Sequence, residues 1–197
     1  VEAAHHEVAE GQHEIDFAYD DALKNADKVV TFKYVTKTIA MRTGLRATFM
    51  PKPFINLTGN GCHVHLSVWD NDRKTNLFHD SKGDLGLSQL AYHFLGGLMH
   101  HAAAMTAITN PTVNSYKRIN APRTISGATW SPSSITFGGN NRTHMVRIPD
   151  EGRAEYRLPD GAANPYLMLA SILAAGASRS EGGPGAKPGP RTARSAS

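Results

Sequence analysis

The sequence is poor in cysteine and has no long apolar run, and each shortage excludes a class of protein. Its single cysteine, Cys62, rules out an internal disulfide and is typical of a reducing compartment, so we predict a cytoplasmic location. No stretch approaches the ~18 apolar residues of a membrane span, so we predict no membrane partner. The 21 Lys and Arg exceed the 17 Asp and Glu and give a net charge of +4. Basic residues recur in a Gly-, Pro- and Ser-rich C-terminal stretch and not on a folded, aromatic-bearing face, which argues against nucleic-acid binding.

Length and composition predict one folded domain with a short appendage. The chain has 197 residues, of which 40% are hydrophobic, and this is enough for one sizeable core. After Gly176 the composition shifts to Gly, Pro, Ser and Arg, so residues 177–197 are predicted to be a disordered tail. The chain begins at Val1, inside motif-rich sequence, without an initiator Met or a signal peptide. We therefore expect a fragment whose N-terminal part is missing.

Carboxylates and imidazoles are concentrated near the start of the chain. If residues 4–8 are extended, alternation puts His5 and Glu7 on one face, and a bend at Gly11 leads into a second extended run that carries Glu14. Carboxylates on adjacent extended segments can bind a hard divalent cation, which prefers oxygen ligands. A solvated, charge-rich loop is the alternative.

A glycine-containing loop at residues 56–61 runs into a segment that alternates between apolar and polar residues. Gly and Asn accept backbone conformations that let the main chain approach a ligand closely. In residues 62–67, the side chains of His63, His65 and Ser67 share one face of a predicted strand. The two histidines are either ordinary hydrogen-bonding groups or members of a site that this strand lines.

Arginines recur in the second half of the chain, among loops and two predicted strands. Arginine is the side chain best suited to bidentate capture of phosphate and carboxylate, although a solvated face is the alternative. Glu155 and Arg157 share a strand face, so a metal ligand and an anion-binding group would lie side by side. The five arginines are Arg118, Arg142, Arg147, Arg153 and Arg157.

Three helices are predicted from apolar spacing and from end signals. The first begins after an N-cap at Asp20 or Asp21 and continues to about residue 42, and the others cover residues 87–109 and 160–176. Gly96 and Gly97 lie inside the second helix, where they either weaken it or permit close packing.

Short strands are predicted between and after these helices. One is expected at residues 46–50, before two prolines, and two more at residues 143–148 and 153–158. Residues 114–139 are predicted to be rich in loops.

Six motifs, in this order along the chain, resemble those of the catalytic domain of glutamine synthetase. Each is weakly specific alone, but six in order are strongly specific, and the resemblance covers about residues 1–176. The details are most similar to bacterial type III-like members, which include relatives that use amines other than ammonia. The motifs are His5–Ala9 with Gly11–Glu14, Phe49–Pro53, Gly59–His65, Asn110–Arg118, Asn141–Arg142 with Arg147–Pro149, and Glu155–Asp160 with Ala163–Tyr166.

The resemblance implies both a fold and an activity. The fold is of the α/β (α+β) class, with a curved, mainly antiparallel sheet, helices packed behind it, and the metal and arginine groups on its concave side. The activity is that of an ATP-dependent carbon–nitrogen ligase, which phosphorylates the γ-carboxylate of glutamate and joins it to ammonia to give glutamine. The cofactors would be ATP and two Mg²⁺ or Mn²⁺ ions per site. The assembly would be a ring-type homo-oligomer with active sites shared between subunits, completed by further family ligands and a domain that precede Val1.

The resemblance also implies roles for individual residues. Glu7 and Glu14 look like ligands of one metal ion, and His63 and Glu155 look like ligands of the other. Arg118 would take the α-carboxylate of glutamate. The positions expected to contact ATP are Glu2, His65, Ser67, Arg147 and Arg153. The positions expected to contact the substrate are Gly59, Arg118, Arg142 and Arg157, and the last two are the catalytic arginines expected, with Arg147, around the transferring phosphoryl group.

The acceptor amine is the part of this prediction that the residues determine least. The family usually carries a glutamate near the ammonia site, but here no acidic residue occurs between Arg118 and Asp150. A carboxylate would attract ammonium and take its proton, so a γ-glutamyl amide made from an alkylamine or polyamine is the alternative product. Ile125 and Trp130 would then contact the substituent of the amine. A non-catalytic, synthetase-like structural protein is the second alternative, although none of the matched metal-ligand positions is lost.

Overall fold

The computed structural model describes residues 1–123 and 130–180. This part of the chain contains four α-helices and six β-strands, with a short 3-10 turn at Asp84–Gly86. The strands are β1 (Ala3–His6), β2 (His13–Asp16), β3 (Val64–Leu66), β4 (Phe137–Gly138), β5 (Val146–Asp150) and β6 (Arg153–Tyr156). The helices are α1 (Ala22–Arg42), α2 (Gln89–Thr109), α3 (Val113–Ile119) and α4 (Pro165–Ser180). Within residues 1–123 and 130–180, none of these helices combines the length and apolar character of a membrane span.

The chain divides into two compact units, which are described separately. The first unit comprises the described residues of Val1–Cys62, Met105–Ser133 and Leu158–Ser171, and it contains β1, β2, α1 and α3. The second comprises His63–Ala104, Ser134–Arg157 and the described residues from Ile172 onward, and it contains a four-stranded sheet. The α/β class is confirmed. The curvature of the sheet and the position of helices behind a concave face stay predictions.

In the first unit, the start of the chain folds into the two predicted extended segments. β1 pairs antiparallel with β2 in a register that places His5 opposite Glu14. Gly11 lies in the connecting turn with φ +70°, a conformation that glycine adopts at little cost. Alternate side chains of both strands therefore share one face of this hairpin.

α1 confirms the first predicted helix, but its predicted apolar stripe is only partly packed. Ala26 is the one fully buried residue of this helix. Phe32 contributes by packing edge-to-face between Phe17 and Phe49, at centroid distances of 5.6 and 5.5 Å. The remaining large apolar side chains of α1 are half-buried or exposed within this unit.

Two predictions in the first unit are wrong. Residues 46–50 form no strand, because no described segment pairs with them and the prolines that follow remove two backbone donors. Part of the predicted loop-rich stretch is instead α3, which begins after Thr112. The Thr112 hydroxyl accepts from the Ser115 N–H at 3.1 Å, and the Ser115 hydroxyl accepts from the Thr112 N–H at 3.2 Å. This capping box uses Ser where Glu or Gln is usual, so the start of the helix was not apparent in the sequence.

The sheet of the second unit has the strand order β3–β6–β5–β4. β6 pairs antiparallel with both β3 and β5, whereas the two-residue β4 pairs parallel with β5 at one edge. The prediction of a mainly antiparallel sheet is therefore confirmed, with one short parallel pair. β5 overlaps the strand predicted at residues 143–148 but begins three residues later and ends two residues later, and β6 is a shorter version of the strand predicted at residues 153–158.

α2 and α4 approach each other closely in the second unit through small residues. A Cβ added to Gly97 of α2 would lie 2.0 Å from the carbonyl oxygen of Ala175 on α4. A Cβ added to Gly176 would likewise lie 2.1 Å from the ring of Phe94. Close packing, one of the two roles predicted for the Gly96–Gly97 pair, is therefore confirmed for Gly97.

α4 continues four residues past the predicted boundary of the folded domain. It runs to Ser180, whereas the domain was predicted to end at Gly176. Burial of Gly176 against Phe94 explains the extension, because the helix is still packed at the point where the composition changes. The rest of the predicted tail, residues 181–197, lies outside the described residues.

Candidate active site

The first candidate group lies on the β1–β2 hairpin of the first unit. We call His5, Glu7 and Glu14 the hairpin cluster, since one ligand atom from each lies within 4.8 Å of the others. The strand register produces this grouping, because His5 lies opposite Glu14 and Glu7 follows His5 on the same face. The Asp16 carboxylate lies 3.8 Å from Nε2 of His5 and adds to the negative charge.

The charges of the hairpin cluster favour a bound cation. Burial, a hydrogen bond with Glu7 and the negative charge of Asp16 raise the pKa of Glu14 to about 7. A divalent cation would offset the repulsion among these carboxylates, and hard cations prefer carboxylate oxygens as ligands. The residues of the hairpin cluster therefore fit a Mg²⁺ or Mn²⁺ ion.

The predicted glutamate-binding positions Gly59 and Arg118 lie against each other in the first unit. A Cβ added to Gly59 would be 3.3 Å from Cγ of Arg118 and 2.4 Å from the carbonyl oxygen of Pro51. Arg118 is 3% exposed, and its Nη1 donates to the carbonyl oxygen of Leu158 at 2.8 Å. Glycine is therefore required at this position by close approach of the backbone, and the guanidinium beside it is held in a buried setting.

Polar side chains from three segments hold the loop that carries Gly59. Asn114 of α3 accepts from the Lys52 N–H at 2.6 Å and donates to the Lys52 carbonyl oxygen at 2.9 Å. The Lys52 ammonium, in a side chain that is almost fully buried, donates to the carbonyl oxygen of Leu57. Gln12 of the hairpin donates to the carbonyl oxygen of Gly59 at 3.0 Å.

The second candidate group crosses three strands of the sheet in the second unit. The register places His65 of β3 opposite Glu155 of β6, and Glu155 opposite Arg147 of β5. Arg147 Nη1 donates to Glu155 at 2.8 Å, and Nε2 of His65 lies 3.9 Å from the same carboxylate. His63 and Arg157 also reach it, at 3.3 and 2.5 Å. We call these five residues the Glu155 cluster.

Glu155 remains ionised although its side chain is buried. Burial alone would raise its pKa, but the hydrogen bond with His63, the charge of Arg157 and the hydrogen bond from Arg147 hold the pKa below its ordinary value. A metal ion bound by His63 and Glu155 would share the carboxylate with Arg147 and Arg157, since an ionised carboxylate offers about four acceptor sites. The residues therefore fit a second metal ion.

The other positions expected to contact ATP are exposed and have separate partners. Glu2 immediately precedes β1 in the first unit, and its backbone N–H donates to the carbonyl oxygen of Asp16 at 2.8 Å. In the second unit, the Ser67 hydroxyl accepts from the indole of Trp69 at 3.0 Å. Arg153 forms an ion pair with Asp150 across the β5–β6 turn. Their described hydrogen bonds thus go to these neighbours and not to the Glu155 cluster.

The residues predicted around the transferring phosphoryl group and the amine are described in part. Arg142 is exposed, and its carbonyl oxygen accepts from Nε of Arg157 at 3.1 Å. Trp130 is 38% exposed and has φ +45°, a conformation uncommon for a bulky residue. Ile125 lies outside the described residues.

Some contributors were not predicted as site residues. His5 shares a face with Glu7 in the sequence pattern, but its membership of the hairpin cluster depends on pairing with the second strand. Gln12 stands between Gly11 and Glu14, inside a motif, and this was its only signal. Lys52 lies between two prolines, which gave no indication that its ammonium is buried.

Comparison with known proteins identifies the family. A family model described as glutamine synthetase, catalytic domain, matches residues 1–179. Curated relatives include the glutamine synthetases of Rhizobium meliloti (strain 1021), 64% identical over 182 residues, and of Pyrococcus abyssi (strain GE5 / Orsay), 51% identical over 179 residues. These matches cover 91% and 89% of this chain but 42% and 38% of the relatives. The chain thus spans about two fifths of the length of the curated relatives it matches.

Solved structures give the same result for the fold. The "GmaS/ADP complex-Conformation 1" superposes with a TM-score of 0.85 at 64% identity, covering 91% of this chain and 41% of that one. A cryo-EM structure of Plasmodium falciparum glutamine synthetase gives a TM-score of 0.79 at 35% identity, covering 90% of this chain and 34% of that one. Motifs, family match and fold agree, and the chain belongs to the glutamine synthetase family, within whose catalytic domain residues 1–179 lie.

Proposed function

We propose that a full-length synthetase containing this chain joins glutamate to ammonia at the expense of ATP, releasing glutamine, ADP and phosphate. The observation that carries the proposal is the Glu155 cluster, where a buried carboxylate meets two guanidinium groups and two imidazoles. Phosphoryl transfer depends chiefly on positioning and on stabilising negative charge. Fixed arginines on a paired sheet supply both.

The proposed reaction has two steps. First, a γ-carboxylate oxygen of glutamate attacks the γ-phosphorus of ATP, and the bond to the β–γ bridging oxygen breaks to release ADP. Arg142, Arg147 and Arg157 would hold the phosphoryl oxygens, over which negative charge is spread. Second, the nitrogen lone pair of ammonia attacks the γ-carbonyl carbon, phosphate leaves, and the nitrogen gives up a proton. Arg118, beside Gly59, would hold the α-carboxylate throughout.

The proposal includes two divalent cations and ATP. Glu7 and Glu14 would hold one Mg²⁺ or Mn²⁺ ion, and His63 and Glu155 the other. Such an ion, when bound, neutralises phosphate charge and polarises the phosphoryl oxygens. The ADP in the GmaS complex supports nucleotide binding by this chain, to which that protein is 64% identical over the compared part. The chain's own contacts to ATP would come from Glu2, His65, Ser67, Arg147 and Arg153.

A γ-glutamyl amide is the second candidate product. The observation that favours it is the absence of any Asp or Glu between Arg118 and Asp150 in the sequence. Ammonium must lose a proton before it attacks, and a nearby carboxylate would both attract the cation and take the proton. An alkylamine needs the same proton transfer, but it also gains apolar contacts, which the partly exposed Trp130 could provide.

One comparison of acceptors tests both candidates. A full-length synthetase containing this chain is supplied with ATP, Mg²⁺ and glutamate, and ammonium is compared with methylamine, ethylamine and putrescine at equal concentration. We expect glutamate-dependent ADP release with the highest kcat/KM for ammonium. A higher kcat/KM for any alkylamine would replace glutamine by the amide as the product. No ADP release with any acceptor would instead favour a non-catalytic, synthetase-like structural protein.

We further propose that the full-length protein is a cytoplasmic, ring-type homo-oligomer, as the family resemblance implies. Native mass spectrometry of the purified protein tests this, and a discrete multimer is the expected result. A monomer at micromolar concentration would contradict the proposal.

A further inference from the structure

We propose that Gln12 is a positioning residue that couples the hairpin cluster to the glutamate loop, which we define as Thr58, Gly59 and Asn60. All of these residues belong to the first unit. The inference rests on the proposed function, in which the hairpin cluster holds a divalent cation and Gly59 contacts glutamate. In this inference, the Gln12 side chain transmits a structural change between the two sites, so that cation binding at one alters glutamate binding at the other.

The side-chain nitrogen of Gln12 binds the glutamate loop. Its Nε2 donates to the carbonyl oxygen of Gly59 at 3.0 Å and to Oδ1 of Asn60 at 2.8 Å. Asn60 itself is oriented, because its Nδ2 donates to the carbonyl oxygen of Met50 at 2.8 Å. Both acceptors are oxygens, so the nitrogen of the Gln12 carboxamide must face the loop.

The side-chain oxygen of Gln12 connects the glutamate loop to the hairpin turn. Its Oε1 accepts from the Ala9 N–H at 3.2 Å and from the Thr58 hydroxyl at 2.8 Å. A carboxamide has two N–H donors and two acceptor lone pairs, and all four are used here. Because every hydrogen-bonding position of the Gln12 carboxamide is occupied, the side chain is held in one orientation. A displacement of the hairpin turn would therefore be passed on to the glutamate loop.

Both ends of this connection lie next to proposed ligand positions. The backbone carbonyl oxygen of Gln12 accepts a hydrogen bond from the Glu7 N–H at 2.8 Å, and Gln12 lies two residues before Glu14 in the sequence. On the other side, Gly59 packs closely, since a Cβ added to it would lie 2.4 Å from the Pro51 carbonyl oxygen and 3.3 Å from Cγ of Arg118. A cation that draws Glu7 and Glu14 together therefore acts, through Gln12, on the backbone that surrounds Gly59.

Two variants remove different parts of the connection. Gln12→Met keeps the length of the side chain and removes all four side-chain hydrogen bonds. Gln12→Glu keeps oxygen acceptors for Ala9 and Thr58 but replaces the two donors by an oxygen that faces other oxygens. His13→Gln is the matched control, because His13 is exposed, adjacent in the same hairpin, and outside both sites.

The primary measurement is the affinity for L-glutamate with and without saturating Mn²⁺, in a full-length synthetase containing this chain. In the wild type and in His13→Gln, we expect Mn²⁺ to tighten glutamate binding. In Gln12→Met the tightening should fall by roughly 10-fold, equivalent to about 1.4 kcal/mol of coupling, while Mn²⁺ affinity without glutamate is unchanged. In kinetics the loss should appear in the KM for glutamate and not in kcat.

A second readout does not require the enzyme to be active. Mn²⁺ should slow hydrogen exchange of the Asn60 N–H, which donates to the Pro51 carbonyl oxygen at 2.8 Å, in the wild type but not in Gln12→Met or Gln12→Glu. Equal slowing in the wild type and in both variants would overturn the inference, as would unchanged coupling in Gln12→Met. If ADP release is absent in the wild type while the exchange effect is present, the proposed function fails and the coupling stands.

Discussion

Glu155 can be buried because two guanidinium groups reach it, one from Arg147 on the neighbouring strand β5 and one from Arg157, two residues further along its own segment. Arg147 donates to one carboxylate oxygen at 2.8 Å and Arg157 to the other at 2.5 Å. Replacing the carboxylate leaves two guanidinium groups close together without a counter-charge, which is costly in a buried setting. The same carboxylate is a proposed metal ligand, so a single substitution acts on stability and on turnover.

We predict that Glu155→Gln lowers glutamate-dependent ADP release by roughly 100-fold or more, because the amide neither holds a cation nor orients the arginines. The measurement is kcat in a full-length synthetase containing this chain. Glu151→Gln is the control, since Glu151 lies on the exposed β5–β6 turn with a side chain that is 69% exposed. Wild-type turnover in Glu155→Gln would show that this carboxylate has no part in the reaction.

Glu14 shows the opposite electrostatic behaviour and leads to a pH-dependent prediction. Its pKa in the folded state is about 7, against an ordinary value of 4.5. Between these two pH values, the folded state therefore holds a proton that the unfolded state releases. The stability gained by keeping this proton is present at low pH and is lost as the pH rises through about 7. Solvent screening reduces the effect, because the side chain is half-buried.

We therefore expect Glu14→Gln to unfold a few degrees higher than the wild type at pH 8 in EDTA, and at the same temperature at pH 4. Adding Mg²⁺ or Mn²⁺ should reverse the order, because only the wild type retains the carboxylate ligand. Thermal unfolding followed by circular dichroism measures both effects, with Glu10→Gln as the control, since Glu10 is an exposed residue of the turn that joins β1 and β2. A wild type that is unaffected by either ion would argue against a cation site on the hairpin.

The packing of α2 on α4 depends on a missing side chain. Gly97 costs α2 about 1 kcal/mol relative to Ala in an isolated helix, yet its Cα lies where a Cβ would be 2.0 Å from the Ala175 carbonyl oxygen. Because backbone oxygen cannot move aside as a flexible side chain can, the two helices would have to separate. At this position, intrinsic helix propensity therefore favours alanine, whereas tertiary packing favours glycine.

We predict that the cost of the steric clash exceeds the gain in helix propensity, so that Gly97→Ala destabilises the protein by about 1–3 kcal/mol. Chemical denaturation with urea measures the change in the free energy of unfolding. Gly139→Ala is the control, since a Cβ there would meet its nearest atom, Cδ2 of Leu85, at an ordinary 3.6 Å. Equal or higher stability in Gly97→Ala would mean that α2 and α4 are not held this close.

The chain spans about two fifths of the length of the curated relatives it matches, so the proposed activity is assigned to a full-length synthetase containing this chain. The described residues supply the hairpin cluster, the glutamate loop and the Glu155 cluster. The family resemblance implies further metal ligands and a neighbouring subunit, which these residues do not provide.

We accordingly predict that the 197-residue chain by itself gives little or no glutamate-dependent ADP release. The measurement compares this chain with a full-length synthetase containing it, at equal concentration of polypeptide and with ATP, Mg²⁺, glutamate and ammonium. Turnover by the chain alone at a rate near that of the full-length protein would contradict the requirement for further ligands.

Local patterns in the sequence were sufficient wherever the physical cause is local. Alternation and Gly11 specify the hairpin, because side-chain direction in a strand and a positive φ at glycine depend on neighbouring residues alone. Apolar spacing and end signals specify α1 for the same reason. The chemical types of the site residues, and the family that they resemble, could also be read directly from the motifs.

Tertiary structure decided everything that depends on residues far apart in the chain. Residues 46–50 needed a pairing partner, and none of the segments within residues 1–123 and 130–180 supplies one. The position of Arg147 beside Glu155 follows from the register between β5 and β6. Gln12 reaches Gly59 across 47 positions of sequence, and no periodicity contains that contact. The reason is physical: a strand ladder, a buried carboxylate and a fully bonded carboxamide are each defined by two or more segments, and only folding brings those segments together.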